Sequence, residues 1–469
     1  MITTTKRALI FLLASVLLVL SVSTLPWQGP ETGWQRYQRT YFENTGATSQ
    51  IIVRQVIPRL GPDGQPTDDA SPELCLTCHI GLEEISPSHP VETYGCVICH
   101  GGNGLSLDAD RAHDGLWSNP SDLSVAAQRC GQVGCHGGHT DSSLDHVTQV
   151  TRSLQATYAG GIALIRYTFG AQKDLTPLFG MLGGVDPDPL PQTAPSLAAY
   201  RVDPGAPPAE AQFAQNCLAE GCHLTEPPGH EPYRYRATGC AACHVLYHDD
   251  GLYTGDDPTI PRDEPGHPAM HRLAVAIPFS QCNHCHNRGN YSLRTMTFTP
   301  RPDLPPAADP IPLTMPDEGR RLLEYYQPIG QFTRCEWELD CIDCHTQTEA
   351  MGDGHFWPDQ KTMQYVQCRT CHGTLTEPPA FAEITDPDDP ALRRARLNGN
   401  YELHPGDVVI LTERGEKMGS VQRRDGQWVQ FRKVDGKEYV VPLVMGSDCQ
   451  QQPNQQESRY CHQCHAYQR

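Results

Sequence analysis

The feature that most constrains this chain is a short motif, Cys-x-x-Cys followed directly by His, which recurs along its 469 residues. Seven copies have this spacing, and they begin at Cys75, Cys96, Cys240, Cys282, Cys341, Cys368 and Cys461. Two longer copies, CGQVGCH at residues 130–136 and CLAEGCH at residues 217–223, keep the histidine directly after the second cysteine. Nine copies with two cysteines each use eighteen of the twenty cysteines and leave Cys335 and Cys449.

This spacing is the attachment signature of c-type haem, because the two thiols form thioethers to the porphyrin while the adjacent imidazole binds the iron. We therefore expect nine molecules of haem c. The predicted attachment residues are Cys75, Cys78, Cys96, Cys99, Cys130, Cys135, Cys217, Cys222, Cys240, Cys243, Cys282, Cys285, Cys341, Cys344, Cys368, Cys371, Cys461 and Cys464. The predicted proximal iron ligands are His79, His100, His136, His223, His244, His286, His345, His372 and His465.

Paired cysteines also occur in two further kinds of site, and the sequence leaves both open. Zinc sites use Cys-x-x-Cys spacing, and disulfide frameworks are common in exported cysteine-rich chains. Neither kind of site accounts for a histidine after every pair. The two remaining cysteines, Cys335 and Cys449, predict one disulfide in an oxidising compartment, with free thiols as the alternative.

The remaining histidines are the candidate sixth ligands. Of 21 histidines, nine follow motif cysteines, which leaves twelve for nine distal positions. The predicted distal ligands are His89, His113, His146, His230, His248, His271, His284, His355 and His462. The other three, His139, His267 and His404, are expected at the surface or in supporting positions, and Met181, Met270 and Met351 are alternative axial ligands.

Composition indicates how such a chain could fold. Only 38% of the residues are hydrophobic, and 41 glycines and 41 prolines interrupt regular structure. A chain of this kind buries little core of its own, so porphyrins would take the place of aliphatic side chains. The predicted fold is that of a multihaem cytochrome c, with mostly loops and short α-helices wrapped around a haem array and a small antiparallel β unit near the C-terminus.

The net charge of −19 argues against nucleic acid as a partner and favours docking to basic protein surfaces. We expect redox partner proteins, either a quinol-oxidising complex or other cytochromes. Self-association into a filament is a further expectation to test.

Residues 1–25 contain Lys6-Arg7 and then an apolar run, which predicts an export signal that is either cleaved or retained as a membrane anchor. The protein is therefore expected to be exported, to the periplasm or the cell surface.

The predicted organisation divides the chain by Pro-rich stretches into parts with three haems each. Residues 26–70 form an N-terminal helix and linker, 71–184 the first part, 185–208 a linker, 209–299 the middle part, 300–334 a Pro-rich connection, and 335–469 the last part. Apolar spacing predicts one helix over residues 144–169. Alternation with Asp-Gly turns predicts a β insertion over 407–444 that caps the last haem or docks a partner.

Several longer strings give a resemblance. The stretches CAACHVLYHDDG and CNHCHNRGN, with CIDCH and then MGDGHF, resemble a broad family of exported bacterial multihaem c-type cytochromes, here a nonahaem form, from residue 72 to the C-terminus. The resemblance implies that His271, shortly before CNHCHNRG, is a distal ligand. It also implies that His284 and His462, which lie inside motifs, bind a neighbouring haem iron.

The leading hypothesis for function is a respiratory electron conduit, because protein ligands on both faces of each iron would exclude substrates. The first alternative is a multihaem oxidoreductase with one five-coordinate haem that acts on a nitrogen or sulfur species, although no CxxCK motif occurs. The second alternative is a subunit of a conductive cytochrome filament. The sequence favours a carrier of electrons over a catalyst.

Overall fold

The computed structural model describes residues 33–61, 64–168, 170–202, 205–206, 208–218, 223–227, 229, 235–285, 291–292, 297–298, 335 and 338–465. The predictions for residues 1–25 and 300–334, for Cys222, His230 and His286, and for the side chains of Cys217 and His462 lie outside these residues. Within the described ranges, no helix is long and apolar enough to cross a membrane.

Short helices are the main regular element. They are α1 (Gly33–Thr45), α2 (Val91–Tyr94), α3 (Val97–His100), α4 (Ala109–Ala112), α5 (His146–Arg152), α6 (Leu154–Thr157), α7 (Ala159–Thr168), α8 (Pro208–Phe213), α9 (Ala241–His244), α10 (Phe279–Asn283), α11 (Cys341–Cys344), α12 (Gln347–Met351), α13 (Gln360–Met363), α14 (Cys368–His372), α15 (Pro390–Asn398) and α16 (Ser458–His465). Single 3₁₀ turns span Cys75–Thr77, Ala126–Gln128 and Ser142–Leu144, and a π turn spans Ala214–Leu218.

The helix predicted over residues 144–169 is interrupted twice, so that part of the prediction is wrong. Ser153 is extended (φ −62°, ψ 157°), and its hydroxyl accepts the amide of Ala156 to begin α6. Tyr158 takes a left-handed conformation (φ 51°) and separates α6 from α7. A serine side chain can bond the backbone amide that begins a new helix, and this ends the helix before it. The spacing of apolar residues does not show where such a cap occurs.

In the part of the chain that the structure describes, strands form three small sheets. They are β1 (Phe179–Gly180), β2 (Gly184–Val185), β3 (Ser196–Ala199), β4 (Tyr291–Ser292), β5 (Thr297–Phe298), β6 (Phe381–Glu383), β7 (Val408–Leu411), β8 (Lys417–Arg424), β9 (Gln427–Phe431) and β10 (Glu438–Val441). The first sheet has the order β1-β3-β2, β4 pairs with β5, and the largest sheet has the order β10-β9-β8-β7-β6.

The largest sheet is antiparallel, and four of its strands overlap the stretches that the sequence places in the β insertion. Asp425 and Gly426, with φ of 49° and 83°, form the two-residue turn between β8 and β9. The sequence misses β6, because three residues are too short to show alternation. On one face of the sheet, α15 buries Ala391 and Leu392.

The other face of this sheet lies against the eighth motif. Trp428 and Met418 form a cluster on which Cys371 packs. The ring of His372 donates from Nδ1 to the carbonyl of Pro442 at 2.7 Å, and the His372 carbonyl accepts the Val444 amide at 2.9 Å. The sheet therefore covers the eighth motif, whereas the sequence predicts a cap on the last haem.

Contacts connect stretches that the sequence assigns to different parts. Ala194, in the predicted linker 185–208, forms a β-bridge with Phe356. Near the first motif, Leu273 donates its amide to the carbonyl of Ile85 at 2.9 Å. The first contact joins the predicted linker to the stretch after the seventh motif, and the second joins the middle part to the stretch after the first motif.

Candidate functional site

Four of the short motifs form about one turn of α-helix, namely α3, α9, α11 and α14, and the first begins with a 3₁₀ turn. Residues at i, i+3 and i+4 share one face of such a turn, so both thiols and the imidazole point to the same side. The histidine amide closes the turn on the carbonyl of the first cysteine. These bonds join His79 to Cys75 at 3.0 Å, His100 to Cys96 at 2.9 Å, His244 to Cys240 at 3.0 Å and His345 to Cys341 at 2.9 Å.

The longer motif at residues 130–136 preserves this geometry. The His136 amide donates to the Cys130 carbonyl at 2.8 Å, although two more residues lie between the cysteines than in the short copies. The extra residues bulge outward and leave the first cysteine and the histidine in the same relation. The residues present therefore fit c-type haem attachment here as well as in the short motifs.

The fourth motif, residues 217–223, differs. The His223 side chain is buried, with Nδ1 2.8 Å from Thr225 Oγ1 and Nε2 3.0 Å from the Leu218 carbonyl. The nitrogen that would bind iron therefore contacts the backbone of its own motif. The aromatic ring of Tyr158 lies opposite, with ring centres 6.0 Å apart. The haem predicted at this motif remains a prediction.

Two proximal histidines face predicted distal histidines. Ring centres are 6.1 Å apart for His79 and His113, and 5.9 Å apart for His100 and His271. Metal–nitrogen bonds of about 2 Å on both faces of one metal leave two imidazole ring centres about 6 Å apart. Both pairs therefore have the separation that a shared iron requires.

A third group contains four imidazoles. His136 faces His89 at 6.0 Å and His146 at 5.4 Å between ring centres. Burial, followed by the charges of His146, His89 and His244, lowers the pKa of His136 to about 4. Four imidazoles at one place match two irons with two ligands each, one for the third motif and one for the fifth. Either His89 or His146 can be assigned to His136.

Three other predicted distal ligands lie in different settings. His248 is exposed, and His284 is buried at the end of α10. His355 lines a cleft of about 540 Å³ together with Trp357 and Arg414. The roles assigned to these three histidines remain predictions.

Two of the histidines that the sequence sets aside have observed contacts. His139 places Nε2 3.1 Å from the Gly131 carbonyl. His404 is exposed beside Asp407, with 3.7 Å between Nδ1 and Oδ2. Both residues are exposed.

The other ring nitrogen of the candidate ligands has two kinds of partner. Three rings donate to backbone carbonyls: His100 to Trp117 at 2.8 Å, His244 to Ala274 at 2.8 Å and His372 to Pro442 at 2.7 Å. Three donate to buried carboxylates: His79 to Asp257 at 2.8 Å, His345 to Glu349 at 3.0 Å and His355 to Asp186 at 2.8 Å. Hydrogen bonds at this nitrogen fix the ring and leave Nε2 available as a ligand.

The carboxylates change the proton affinity of the rings they hold. Burial alone would lower the pKa of His79, but the hydrogen bond and charge of Asp257 outweigh it and raise that pKa. The hydrogen bond to Glu349 likewise raises the pKa of His345 despite burial. Sequence reasoning missed these carboxylates, because no spacing connects residue 79 with residue 257.

First cysteines of different motifs meet in pairs. The thiols of Cys75 and Cys96 lie within 4.8 Å of each other. In this pair, and in the pairs Cys130–Cys240 and Cys282–Cys341, the interaction between the thiols lowers the pKa of one and raises that of the other, and the pKa of Cys341 falls to about 7. Paired motifs therefore have their first cysteines next to each other.

Weaker electrostatic contacts extend the series. The pKa of Cys99 is raised to about 12 by burial and then by the charges of Cys130 and Cys135. Burial and then the charge of Cys285 raise the pKa of Cys243 to about 11.

The same holds further along the chain. Burial and then the charge of Cys371 raise the pKa of Cys344. Burial lowers the pKa of His372, the Pro442 carbonyl opposes this, and the charge of His465 lowers it further. The seventh, eighth and ninth motifs are therefore neighbours in turn.

The predicted disulfide is absent, since all the described cysteines are free of disulfide bonds. Cys335 lies near the thiols of Cys344 and Cys371, and its charge adds to burial in raising their pKa. Cys449 lies in a different setting, where its amide donates to Ser447 Oγ at 3.3 Å. The even count of leftover cysteines was therefore a poor guide to their pairing.

The zinc alternative finds little support in the described part of the chain. A structural zinc site needs four ligands. The one group in these residues that brings three candidate ligand atoms within 4.8 Å contains Glu73, Cys75 and Cys96. The motif thiols meet in twos, which does not provide a tetrahedral set.

Comparison with protein-family models, with curated proteins and with solved structures finds no match for this chain. The case for its function therefore rests on its own residues.

Proposed function

We propose that this protein carries electrons along c-type haems bound to its nine motifs, mainly with two histidine ligands per iron. When bound, each haem iron supplies one-electron chemistry between the ferric and ferrous states. The protein residues attach the groups through thioethers and close both faces of the iron with imidazole. The pairs His79–His113 and His100–His271 support this proposal by their separations of 6.1 and 5.9 Å.

The observation that carries the proposal is the continuous series of neighbouring motifs. The Cys75 and Cys96 thiols, within 4.8 Å of each other, link the first motif to the second, and Cys130 packs with Ala242 where the third meets the fifth. Hydrogen bonds link the second motif to the third (Gln132 to the Ile98 carbonyl, 2.9 Å), the fifth to the sixth (Gln281 to the Ala242 carbonyl, 2.7 Å) and the sixth to the seventh (Phe279 amide to Asp340, 2.7 Å). The Val366 amide, before the eighth motif, donates to Glu349 beside the seventh at 2.8 Å, and the Cys368 amide of the eighth donates to Ser458 beside the ninth at 2.9 Å. A series without a gap is what electron hopping from end to end requires.

The fourth motif lies beside this series. Leu224, next to His223, packs in a cluster with Ala126, Ala242 and Cys130, which belong to or adjoin the third and fifth motifs. We therefore assign the fourth haem to a side position, next to the point where the third and fifth motifs meet.

The setting proposed for this conduit is respiratory, in the periplasm or at the cell surface. Its donor would be a quinol-oxidising complex or another cytochrome. The net charge of −19 supports docking to basic surfaces of such partners and gives association a marked dependence on ionic strength.

Two measurements on the purified full-length protein test the proposal. Intact mass gives the number of covalently bound haems, and the expected result is nine. Electron paramagnetic resonance of the oxidised protein is expected to show low-spin ferric iron, because imidazole binds on both faces. A colourless protein that contains zinc, or a mass several haems short of nine, would refute the proposal.

The second candidate function is an oxidoreductase with one five-coordinate haem. The observation that favours it is at the fourth motif, where the ring opposite His223 belongs to Tyr158 instead of a histidine. A high-spin ferric signal from one haem in the wild-type protein, lost in a His223→Ala variant, would favour this candidate over pure electron transfer.

A further inference from the structure

Buried carboxylates hold two of the proximal histidines, and both are built in the same way. Asp257 is 1% exposed, and its Oδ2 accepts from His79 Nδ1 at 2.8 Å. Its other oxygen, Oδ1, accepts the amide of Thr259 at 2.9 Å and the hydroxyl of the same residue at 2.8 Å. With one oxygen held by two donors, the carboxylate cannot rotate away from the ring.

Glu349 repeats this arrangement at the seventh motif. Its Oε2 accepts from His345 Nδ1 at 3.0 Å, and its side chain is 1% exposed. Its Oε1 accepts the backbone amides of Tyr365 at 2.5 Å and Val366 at 2.8 Å. The two sites share no sequence pattern, since Glu349 is four residues from its histidine and Asp257 is 178 residues away.

The neighbouring motifs have neutral acceptors instead. The second motif's His100 donates to the carbonyl of Trp117, and the eighth motif's His372 donates to the carbonyl of Pro442. The first and second motifs meet where the thiols of Cys75 and Cys96 lie within 4.8 Å of each other. Each carboxylate-held motif therefore adjoins a carbonyl-held one, so the two kinds of acceptor can be compared between neighbours.

An anionic acceptor acts on the iron through the ring. It draws the Nδ1 proton toward itself, which makes Nε2 a stronger electron donor than the same ring held by a carbonyl. A stronger donor stabilises ferric iron, which carries the higher charge, more than ferrous iron. The reduction potential of that haem is therefore lowered.

We propose that Asp257 and Glu349 lower the reduction potentials of the haems at the first and seventh motifs below those of their neighbours at the second and eighth. With haem bound at both motifs, this difference would favour transfer of one electron from ferrous iron at the first motif to ferric iron at the second, with no proton or other group transferred. Glu349 would favour the same direction from the seventh motif to the eighth. This inference rests on the proposed haem binding.

The test is a reductive titration with dithionite, followed by haem absorbance, on Asp257→Asn and Glu349→Gln variants of the full-length protein. Each substitution removes the charge and keeps the shape. Each is expected to move one haem's share of the absorbance change to a higher potential. The matched control is Asp256→Asn, because Asp256 adjoins Asp257 but is exposed and pairs with Arg262 at 2.8 Å.

The outcomes separate this inference from the proposed function. Variants with nine haems by mass whose titration curves coincide with that of the wild type would overturn the inference and leave the conduit intact. An equal shift in Asp256→Asn would also overturn it, because net charge would then be the cause. If Asp257→Asn fails to bind haem, Glu349→Gln decides alone. A wild-type protein without haem would refute the proposed function itself.

Discussion

The most direct perturbation removes the imidazole that faces His100. In a His271→Ala variant, the alanine methyl group cannot bind a metal, so the iron proposed at the second motif would lose one axial ligand. Burial is the main cause that lowers the pKa of His271, so the ring is in the neutral form that binds metals. The ring centres are 5.9 Å apart, which leaves space for one iron and one ligand pair. The effect should therefore be confined to one haem.

The magnitude follows from the motif count. One haem of nine should change from low-spin to high-spin, which is about one ninth of the ferric iron. The other haems should be unaffected, because the neighbouring pair, His79 and His113, consists of two different rings 6.1 Å apart. Integrated electron paramagnetic resonance of the oxidised variant measures this fraction. Free imidazole added to the solution should enter the space and restore the low-spin signal.

His267→Ala provides the matched control, because His267 is nearby and its backbone amide, not its ring, contacts Gly251 at 2.9 Å. Its spectrum should equal that of the wild type. If His271→Ala carries nine haems and remains wholly low-spin, His271 is not an axial ligand, and the reasoning from ring separations fails.

Three further predictions concern other parts of the molecule. His89→Ala and His146→Ala should each convert one haem to high-spin, and the double variant should convert two, as measured by electron paramagnetic resonance. A single variant with an unchanged spectrum would show that its histidine is not an axial ligand. Gly239→Ala should destabilise the fold by about 2 kcal/mol or more, because Gly239 has φ of 62° and an added Cβ would lie 1.9 Å from the Ser121 carbonyl oxygen. Thermal unfolding measures this loss. The control is Gly205→Ala, because no atom lies within 4 Å of the Cβ added there. Asp389→Ala should destabilise the sheet unit by about 1 to 2 kcal/mol, since the carboxylate caps α15 through the Ala391 amide and pairs with Lys417, whereas Asp389→Asn keeps the cap and should cost less. Burial raises the pKa of Asp389, but the hydrogen bonds from Lys417 and the Ala391 amide outweigh burial and lower it. The charge of Asp389 therefore stabilises the unit above about pH 4, and this contribution is lost as the pH falls through the lowered pKa. Hydrogen exchange of the β7 and β8 amides should then become equal in the wild type and Asp389→Asn at low pH.

The sequence predicts local geometry well and distant contacts poorly. The motif turns follow from spacing alone, because i, i+3 and i+4 share a face of any helical turn. The β8–β9 hairpin follows from Asp425-Gly426, since few residue pairs accept two positive φ angles. By contrast, the pairing of His100 with His271 joins residues from different parts of the chain, and the resemblance to known cytochromes suggested only that His271 binds some iron.

The position of the carboxylates was beyond sequence reasoning for a different reason. Asp257 reaches His79 only because residues around 253–273 pack on the first motif, where Tyr253 donates to Glu83 at 2.9 Å. That packing depends on many weak contacts, none of which has a signature. The break at Ser153 is a smaller case, since a serine inside an apolar stripe is compatible with either a continued helix or a new cap.

The order of the motifs is supported by two sets of atoms that are chemically distinct. Thiols join the first motif to the second and the third to the fifth. Imidazoles make the same two connections, because the charge of His79 lowers the pKa of His100 after burial, and that of His244 lowers the pKa of His136. The motifs of each pair therefore have both their thiols and their rings near the neighbouring motif. Haems bound at such motifs would lie close to each other, whereas the His223 ring of the fourth motif contacts Tyr158 and its own backbone.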